Sequence, residues 1–236
     1  MVGRRVVGPR RRRQGQHLLL TAPRTEPPAQ RRVGDRPLAF ALPVWLVTLL
    51  LFALALLPRA VGLDDFYTTD EAYFWQRRVD RFSDALVMRD WAATNQTGHP
   101  GVTTMWLGAL GQRLALARGL TEPGPGDGAT FLAHLRTPLA VANALAVALG
   151  YLLLRRLLRP ATAVLAALLW ASSPFLIAHS RLLHLDALLT SCMTLSLLCL
   201  LVVVAGRARG ERRPLALVGS GLFGGLALLT KAPALL

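Results

Sequence analysis

Cysteine is scarce in this chain of 236 residues, which holds only two. Cys192 and Cys199 are seven positions apart, so they lie on one face of a single helix and cannot pair with each other. Two thiols are also too few to form a metal cage. The sequence therefore excludes a fold held together by disulfides, and we interpret both cysteines as small apolar packing residues.

Acidic residues and lysine are also few. Thirteen acidic side chains stand against 27 basic ones, and Lys231 is the only lysine. Ten arginines lie in the first 37 residues, and others cluster at 155–159 and 207–213, next to apolar runs. This placement is typical of cytoplasmic anchors under the positive-inside rule. Nucleic-acid binding by the basic N-terminus is disfavoured, because no aromatic residues are interleaved with its arginines.

Apolar residues are abundant: they make up 53% of the chain and occur in runs of membrane-spanning length. The fold class is therefore an all-α polytopic membrane protein of the cell membrane, with external juxtamembrane helices. The composition of residues 1–37 predicts a disordered basic cytoplasmic tail. Residues 58–135 are predicted to form an external loop, which holds nine of the acidic residues. About five transmembrane helices are predicted, over 38–57, 137–154, 161–178, 187–205 and 215–235.

One stretch, 102–116, is apolar enough for a short span but contains several polar residues. If it spanned the membrane, the arginine clusters at 155–159 and 207–213 would lie outside, against the positive-inside rule. We therefore predict an interfacial helix on the outer leaflet. The acidic loop and the connector 179–186 then lie on the same outer face. Since the sequence stops at the end of an apolar segment, we expect it to be a fragment of a longer protein.

The adjacent residues Asp70 and Glu71, just after the first apolar run, are the candidate catalytic groups. One interpretation is structural: Thr69 or Asp70 caps a short helix and Glu71 favours its first turn. The other is catalytic, because an acceptor hydroxyl that attacks a substrate must lose its proton. A carboxylate within hydrogen-bond reach performs this role as a general base.

Four further residues are candidate substrate-binding groups. His99 either marks a loop-to-helix junction or donates to a substrate hydroxyl or phosphate at a helix N-terminus. Arg181 either anchors at the headgroup level or holds a lipid phosphate with its guanidinium fork. Asp186 enters an apolar helix, so we expect it to pair with an arginine or to bind a metal or substrate. Lys231 is either a snorkelling anchor or a contact for a departing lipid phosphate.

The order of these motifs resembles a known family. An Asp-Glu pair follows the first helix, His99-Pro100-Gly101 opens an interfacial helix, and Arg136 begins the second span. An Arg181…Asp186 connector and a glycine-rich helix ending in Lys231 follow. Over 38–236 the chain resembles the N-terminal part of a GT-C glycosyltransferase, of the dolichyl-phosphate-mannose–protein mannosyltransferase and aminoarabinose transferase type.

The resemblance implies a GT-C-like fold, truncated here, with its active site at the outer or periplasmic membrane face. The donor would be a polyprenyl-phosphate-linked sugar, and the acceptor a hydroxyl of a protein, lipid or glycan. Asp70 and Glu71 match the family's Asp-Glu pair, with Asp70 as the base. The family's His-Pro-Pro motif ends here in Gly101 instead of a second proline.

The sequence thus predicts an enzyme, a polyprenyl-phosphate-sugar-dependent glycosyltransferase that also contacts membrane lipids and binds no nucleic acid. A non-catalytic remnant or membrane assembly subunit is the first alternative. A transporter is the second, and it is disfavoured because the chain has no internal repeat and its polar residues gather at one surface. The acidic residues are compatible with a divalent metal, but no ligand spacing demands one.

Overall fold

The apolar runs form helices, because a helix satisfies its backbone hydrogen bonds within one segment of chain. The computed structural model describes residues 42–96, 101–120, 128–206 and 212–235, and within those ranges it contains helices and no strand. The predicted tail 1–37 and the candidate His99 lie outside the described residues. The described part is therefore all-helical, as the sequence predicts.

The described residues form eight α-helices and two shorter helical turns. A π-helical turn, Glu71–Trp75, precedes the second helix, and a 3-10 turn, Ala232–Leu235, follows the last. The α-helices are α1 Val44–Ala60, α2 Gln76–Met88, α3 Val102–Ala117, α4 Gly128–Leu157, α5 Pro160–Ser172, α6 Pro174–Ser180, α7 Asp186–Val204 and α8 Arg212–Thr230.

Three of the described helices, α4, α7 and α8, are long and apolar enough to cross a membrane. The bent pair of α5 and α6 makes a fourth if it counts as one span, and α1 is a shorter apolar helix of 17 residues. The predicted class of all-helical polytopic membrane protein is confirmed. The ambiguous stretch forms α3, which has 16 residues and is not among the candidate spans.

The predicted helix over 161–178 is divided in two at Ser173. The two halves, α5 and α6, meet at a bend of 55°. Pro174 explains the division, because the ring of a proline pushes the preceding residue out of the helical region. Ser173 accordingly has φ −61° and ψ 114°, an extended conformation.

The central helix α4 begins at Gly128, nine residues before the predicted start at 137. It continues through Pro138, which has no N–H to donate to the carbonyl of His134 one turn earlier. That carbonyl faces Gly111 of α3: a methyl group added to Gly111 would lie 2.3 Å from its oxygen. The absence of a side chain at position 111 therefore lets α3 pack directly on the backbone of α4.

Helix α4 packs against α1, α3, α5 and α7, and α7 in turn packs against α8. The largest buried cluster lies where α2 and α3 cover the first turns of α4 and the connector between α6 and α7. Its members are Trp75, Val79, Phe82, Met105, Ala109, Ala115, Phe131, Leu135, Leu139, Leu183 and Leu185. This packing brings the loop after α1 and the α6–α7 connector together at one end of the bundle.

Candidate active site

Glu71 is fully buried, and its carboxylate accepts hydrogen bonds from three other residues of the chain. Its side chain is 0% exposed, and Arg136, its partner from α4, is 1% exposed. The Nε of Arg136 donates to Oε1 at 2.8 Å, and its Nη2 donates to Oε2. The backbone N–H of Leu183 donates to Oε1 at 2.7 Å, and the Thr68 hydroxyl donates to Oε2 at 2.7 Å. One carboxylate thus joins the loop after α1, helix α4 and the α6–α7 connector.

The ionisation of Glu71 follows from these contacts. Burial alone would raise the pKa of the carboxyl, but the hydrogen bonds from Arg136, the Leu183 amide and Thr68 outweigh it and hold the pKa below its usual value. Glu71 is therefore a carboxylate at neutral pH. Because its oxygens already accept these bonds, it is poorly placed to take a proton from a substrate.

Arg136 also holds the loop that leads from α1 to Asp70. Its Nη1 donates to the carbonyl of Leu63 at 2.6 Å, and its Nη2 donates to that of Phe66 at 2.8 Å. A buried guanidinium is stable only where its donors are satisfied, and here carboxylate and carbonyl oxygens satisfy them. The position of Asp70 is therefore fixed by a residue of α4.

Asp70 has the opposite environment, although it is the neighbour of Glu71 in sequence. Its side chain is 56% exposed, and its Oδ2 lies 3.5 Å from Nε2 of His184. The other ring nitrogen of His184 lies 3.5 Å from Oδ2 of Asp186, and Lys231 donates to Oδ1 of Asp186 at 2.9 Å. The structure therefore joins Asp70, Asp186 and Lys231 into one polar line through His184. Asp186, expected to pair with an arginine or to bind a metal or substrate, pairs with the lysine.

Arg181 lies on the α6–α7 connector and reaches the loop after α1. Its Nη2 donates to the carbonyl of Gly62 at 2.7 Å and lies 3.5 Å from Oδ2 of Asp65. Its side chain is 26% exposed, so Arg181 is partly open to solvent.

Gly101, the residue before α3, contacts the end of α8. Its φ is +56°, and a methyl group at this position would lie 2.7 Å from the ring of Trp75. Its N–H donates to the carbonyl of Thr230 at 3.0 Å, and the hydroxyls of Thr103 and Thr230 are 2.6 Å apart. A proline here could neither adopt this φ nor donate that bond, so the departure from His-Pro-Pro matches the geometry of this chain.

An apolar cavity of about 420 Å³ runs between α3, α4, α7 and α8. Thr103 lines it, and the hydroxyl of Thr103 contacts Thr230, the residue before Lys231. The remaining lining is largely aliphatic and aromatic, and includes Val102, Trp106, Leu107, Leu145, Leu188, Leu195, Phe223 and Leu226. The cavity therefore offers an apolar surface close to the C-terminal end of α8, where Lys231 follows.

The sequence assigned no role to three residues of this end of the molecule: Arg136, His179 and His184. Arg136 was visible only as an arginine at the start of a predicted span. For His179 and His184 the sequence offered one indication: two of the five histidines of the chain lie within six positions of each other, at a predicted helix connection. Of the predicted residues, the structure brings Asp70, Glu71, Arg181, Asp186 and Lys231 to this end.

Comparison with known proteins gives one match. Residues 131–236 match the family model described as dolichyl-phosphate-mannose-protein mannosyltransferase. No curated protein matches the chain, and no solved structure does. The matched part includes Arg136, Arg181, Asp186 and Lys231, whereas Asp70 and Glu71 precede it. The similarity to that family covers less than half of the chain, and the apolar helices indicate an integral membrane protein.

Proposed function

We propose that this chain provides a glycosyltransferase active site at the outer membrane face. It would transfer a sugar from a polyprenyl-phosphate donor to an acceptor hydroxyl of a protein, lipid or glycan. The proposal combines the family match over 131–236 with the polar line at one end of the helix bundle. It assigns the chemistry to Asp70 and the support of that residue to Glu71.

The contrast between Asp70 and Glu71 is the observation that carries the proposal. Asp70 is more than half exposed, whereas Glu71 is completely buried and accepts hydrogen bonds from three residues. A general base needs an accessible oxygen, and Asp70 has one. Glu71 is a positioning residue, because it fixes the backbone next to Asp70 through Arg136 and Leu183.

The proposed reaction is a displacement at the anomeric carbon with inversion. The acceptor oxygen attacks that carbon while Asp70 takes the hydroxyl proton, so the new glycosidic bond forms as the bond from carbon to the phosphate oxygen breaks. The electron pair of the broken bond leaves with the polyprenyl phosphate. The acceptor proton ends on the carboxyl group of Asp70.

The leaving phosphate gains negative charge, so cations nearby would stabilise the transition state. Arg181 and Lys231 are the candidates in the described part of the chain, both partly exposed at 26% and 31%. The apolar cavity lined by Thr103 would then receive part of the polyprenyl chain, because the Thr103 hydroxyl contacts Thr230 at the end of α8.

The test is sugar transfer from a radiolabelled polyprenyl-phosphate sugar in membranes that contain the full gene product. We expect Asp70→Asn to lower the transfer rate by about 10²–10⁴-fold, the usual contribution of a general base. Asp64→Asn, an exposed carboxylate in the same loop, is the matched control and should keep the wild-type rate. If Asp70→Asn transfers sugar as fast as the wild type, the assignment of the base is wrong.

A further inference from the structure

We propose that His179, His184 and Asp186 form a binding site for a divalent transition-metal ion, with Zn²⁺ as the best-fitting ion. His179 lies in the last turn of α6, His184 in the connector, and Asp186 is the first residue of α7. Each offers one ligand atom, and the three atoms lie within 4.8 Å of one another. The inference rests on this geometry and not on the proposed sugar transfer.

The dimensions of the cluster suit a single ion. Zn²⁺ binds nitrogen and oxygen ligands at about 2.0–2.2 Å, so neighbouring ligands of a tetrahedral site are about 3.3–3.6 Å apart. The cluster is wider than this by about 1 Å, which rotation of the side chains can close. The two imidazole rings have centroids 6.4 Å apart and planes inclined by 54°, so the rings are not stacked.

Two buried nitrogens without a hydrogen-bond partner point to a ligand in addition to the spacing. Nδ1 of His179 and Nδ1 of His184 are both buried, and neither has a hydrogen-bond partner. A buried polar atom without a partner is costly, and most such atoms in proteins are paired. Nδ1 of His184 also lies 3.5 Å from Oδ2 of Asp186. An ion bound by both Nδ1 atoms and by this oxygen would satisfy all three.

The groups around the cluster hold its ligands in the required orientation. Nε2 of His184 lies 3.5 Å from Oδ2 of Asp70, so the ring can donate its second N–H to a carboxylate. Lys231 donates to Oδ1 of Asp186 and leaves Oδ2 for the ion. Metal-binding histidines and carboxylates in proteins are usually held by such outer partners.

The ligand types decide which ion is bound. Two imidazoles and one carboxylate favour Zn²⁺ and its transition-metal neighbours, whereas Mg²⁺ and Ca²⁺ prefer oxygen ligands. Three protein ligands leave the fourth position of a tetrahedral Zn²⁺ for a water molecule or a ligand oxygen. The site would therefore have one open coordination position, and it would lie at the same end of the bundle as Asp70.

The test measures Zn²⁺ binding by the full chain, purified without a polyhistidine tag and stripped of metal. Zn²⁺ is titrated against a chromophoric chelator. We expect one ion per chain, no competition from Mg²⁺, and binding weakened by about tenfold or more in His179→Asn and His184→Asn. His134→Asn is the matched control, because His134 contacts Arg118 and the Thr130 carbonyl outside the cluster. The control should bind as the wild type does.

A second measurement does not depend on how the variants fold. X-ray absorption at the zinc edge of the loaded wild-type protein should show scattering from two imidazole rings. The proposal is overturned if the wild type binds no Zn²⁺ in the titration, if the bound zinc has no imidazole ligands, or if His179→Asn and His184→Asn bind zinc as tightly as the wild type. Loss of sugar transfer alone would bear on the proposed function and not on this site.

Discussion

At the scale of single residues, the pair Asp70 and Glu71 divides two tasks between neighbours of the same chemical type. Removing a charge from water is unfavourable unless the charge is paired and hydrogen-bonded, and Glu71 meets that condition through Arg136. Asp70 keeps solvent access instead. In the proposed function, the buried, paired carboxylate therefore supports the structure, and its exposed neighbour performs the chemistry.

The buried pair gives a prediction about stability. Glu71→Gln would leave Arg136 buried without its counter-charge, so the free energy of unfolding should fall by about 3–5 kcal/mol. Asp65→Asn is the matched control, because the Asp65 side chain is 63% exposed and such a solvent-accessible pair, here with Arg181 at 3.5 Å, is worth about 0–1 kcal/mol. Chemical denaturation in detergent, followed by circular dichroism, measures both. Equal losses in the two variants would contradict the role given to Glu71.

The lowered pKa of Glu71 gives a prediction about pH. A carboxyl whose pKa is lower in the folded than in the unfolded state stabilises the fold above its unfolded value, which is 4.5 for glutamate. That stabilisation should be lost as the pH falls from about 4.5 toward the folded pKa. We expect Glu71→Gln to depend less on pH in this range than the wild type. Parallel pH profiles of the two proteins would contradict the prediction.

The sequence identified several residues of the candidate site but not the residues that pair with them. A charged pair after an apolar run and a carboxylate at the start of an apolar helix are both visible locally, so Asp70, Glu71 and Asp186 were found. Arg136 lies 65 positions from Glu71, and Lys231 lies 45 positions from Asp186. Such pairs depend on how helices pack, and no local pattern specifies that packing.

At the scale of helices, the apolar runs of the sequence predicted where each helix lies more accurately than where it begins and ends. Helix α7, Asp186–Val204, differs from its prediction by one residue at each end because its apolar run has a sharp border. The prediction missed the first turns of α4 because they mix apolar and polar residues. Phe131 and Leu135 are buried beneath α2 and α3, whereas Thr130, His134 and Arg136 interrupt the apolar run. A search for membrane-length apolar runs does not detect such an amphipathic extension.

The contact between α3 and α4 gives a prediction at this scale. Gly111→Ala would place a methyl group 2.3 Å from the His134 carbonyl oxygen, and backbone cannot move aside as a flexible side chain can. We expect a loss of stability of about 1–3 kcal/mol or more. Gly221→Ala, at a helical position with open space around it, is the control and should change little. Thermal unfolding in detergent measures both.

At the scale of the whole molecule, the acidic loop and the α6–α7 connector lie at one end of the bundle, and the turn between α4 and α5 lies at the other. We expect the first end to face outward. Asp64→Cys should react with a membrane-impermeant maleimide added to intact cells, whereas Leu158→Cys should react only after permeabilisation. Both variants are made after Cys192 and Cys199 are replaced by alanine.

The opposite labelling pattern would reverse the predicted orientation. Reaction of both positions in intact cells would show that the chain crosses the membrane between them an even number of times, for example through α3 as well as α4, or not at all. The opposite pattern would remove the placement of Asp70 at the outer face, whereas labelling of both positions in intact cells would keep it. Neither result would change the contacts within the bundle.

The hydrogen bonds of Glu71 to α4 and to the α6–α7 connector also determine the order in which parts of the chain can fold during synthesis. Its carboxylate receives hydrogen bonds from residues that lie 65 and 112 positions later in the chain. At a synthesis rate of about 5–20 residues per second, the last of these partners emerges about 6–22 s after Glu71. During that interval the carboxylate has to remain hydrated at the membrane surface. The loop carrying Asp70 can therefore reach its final shape only after α4 and the α6–α7 connector have been inserted.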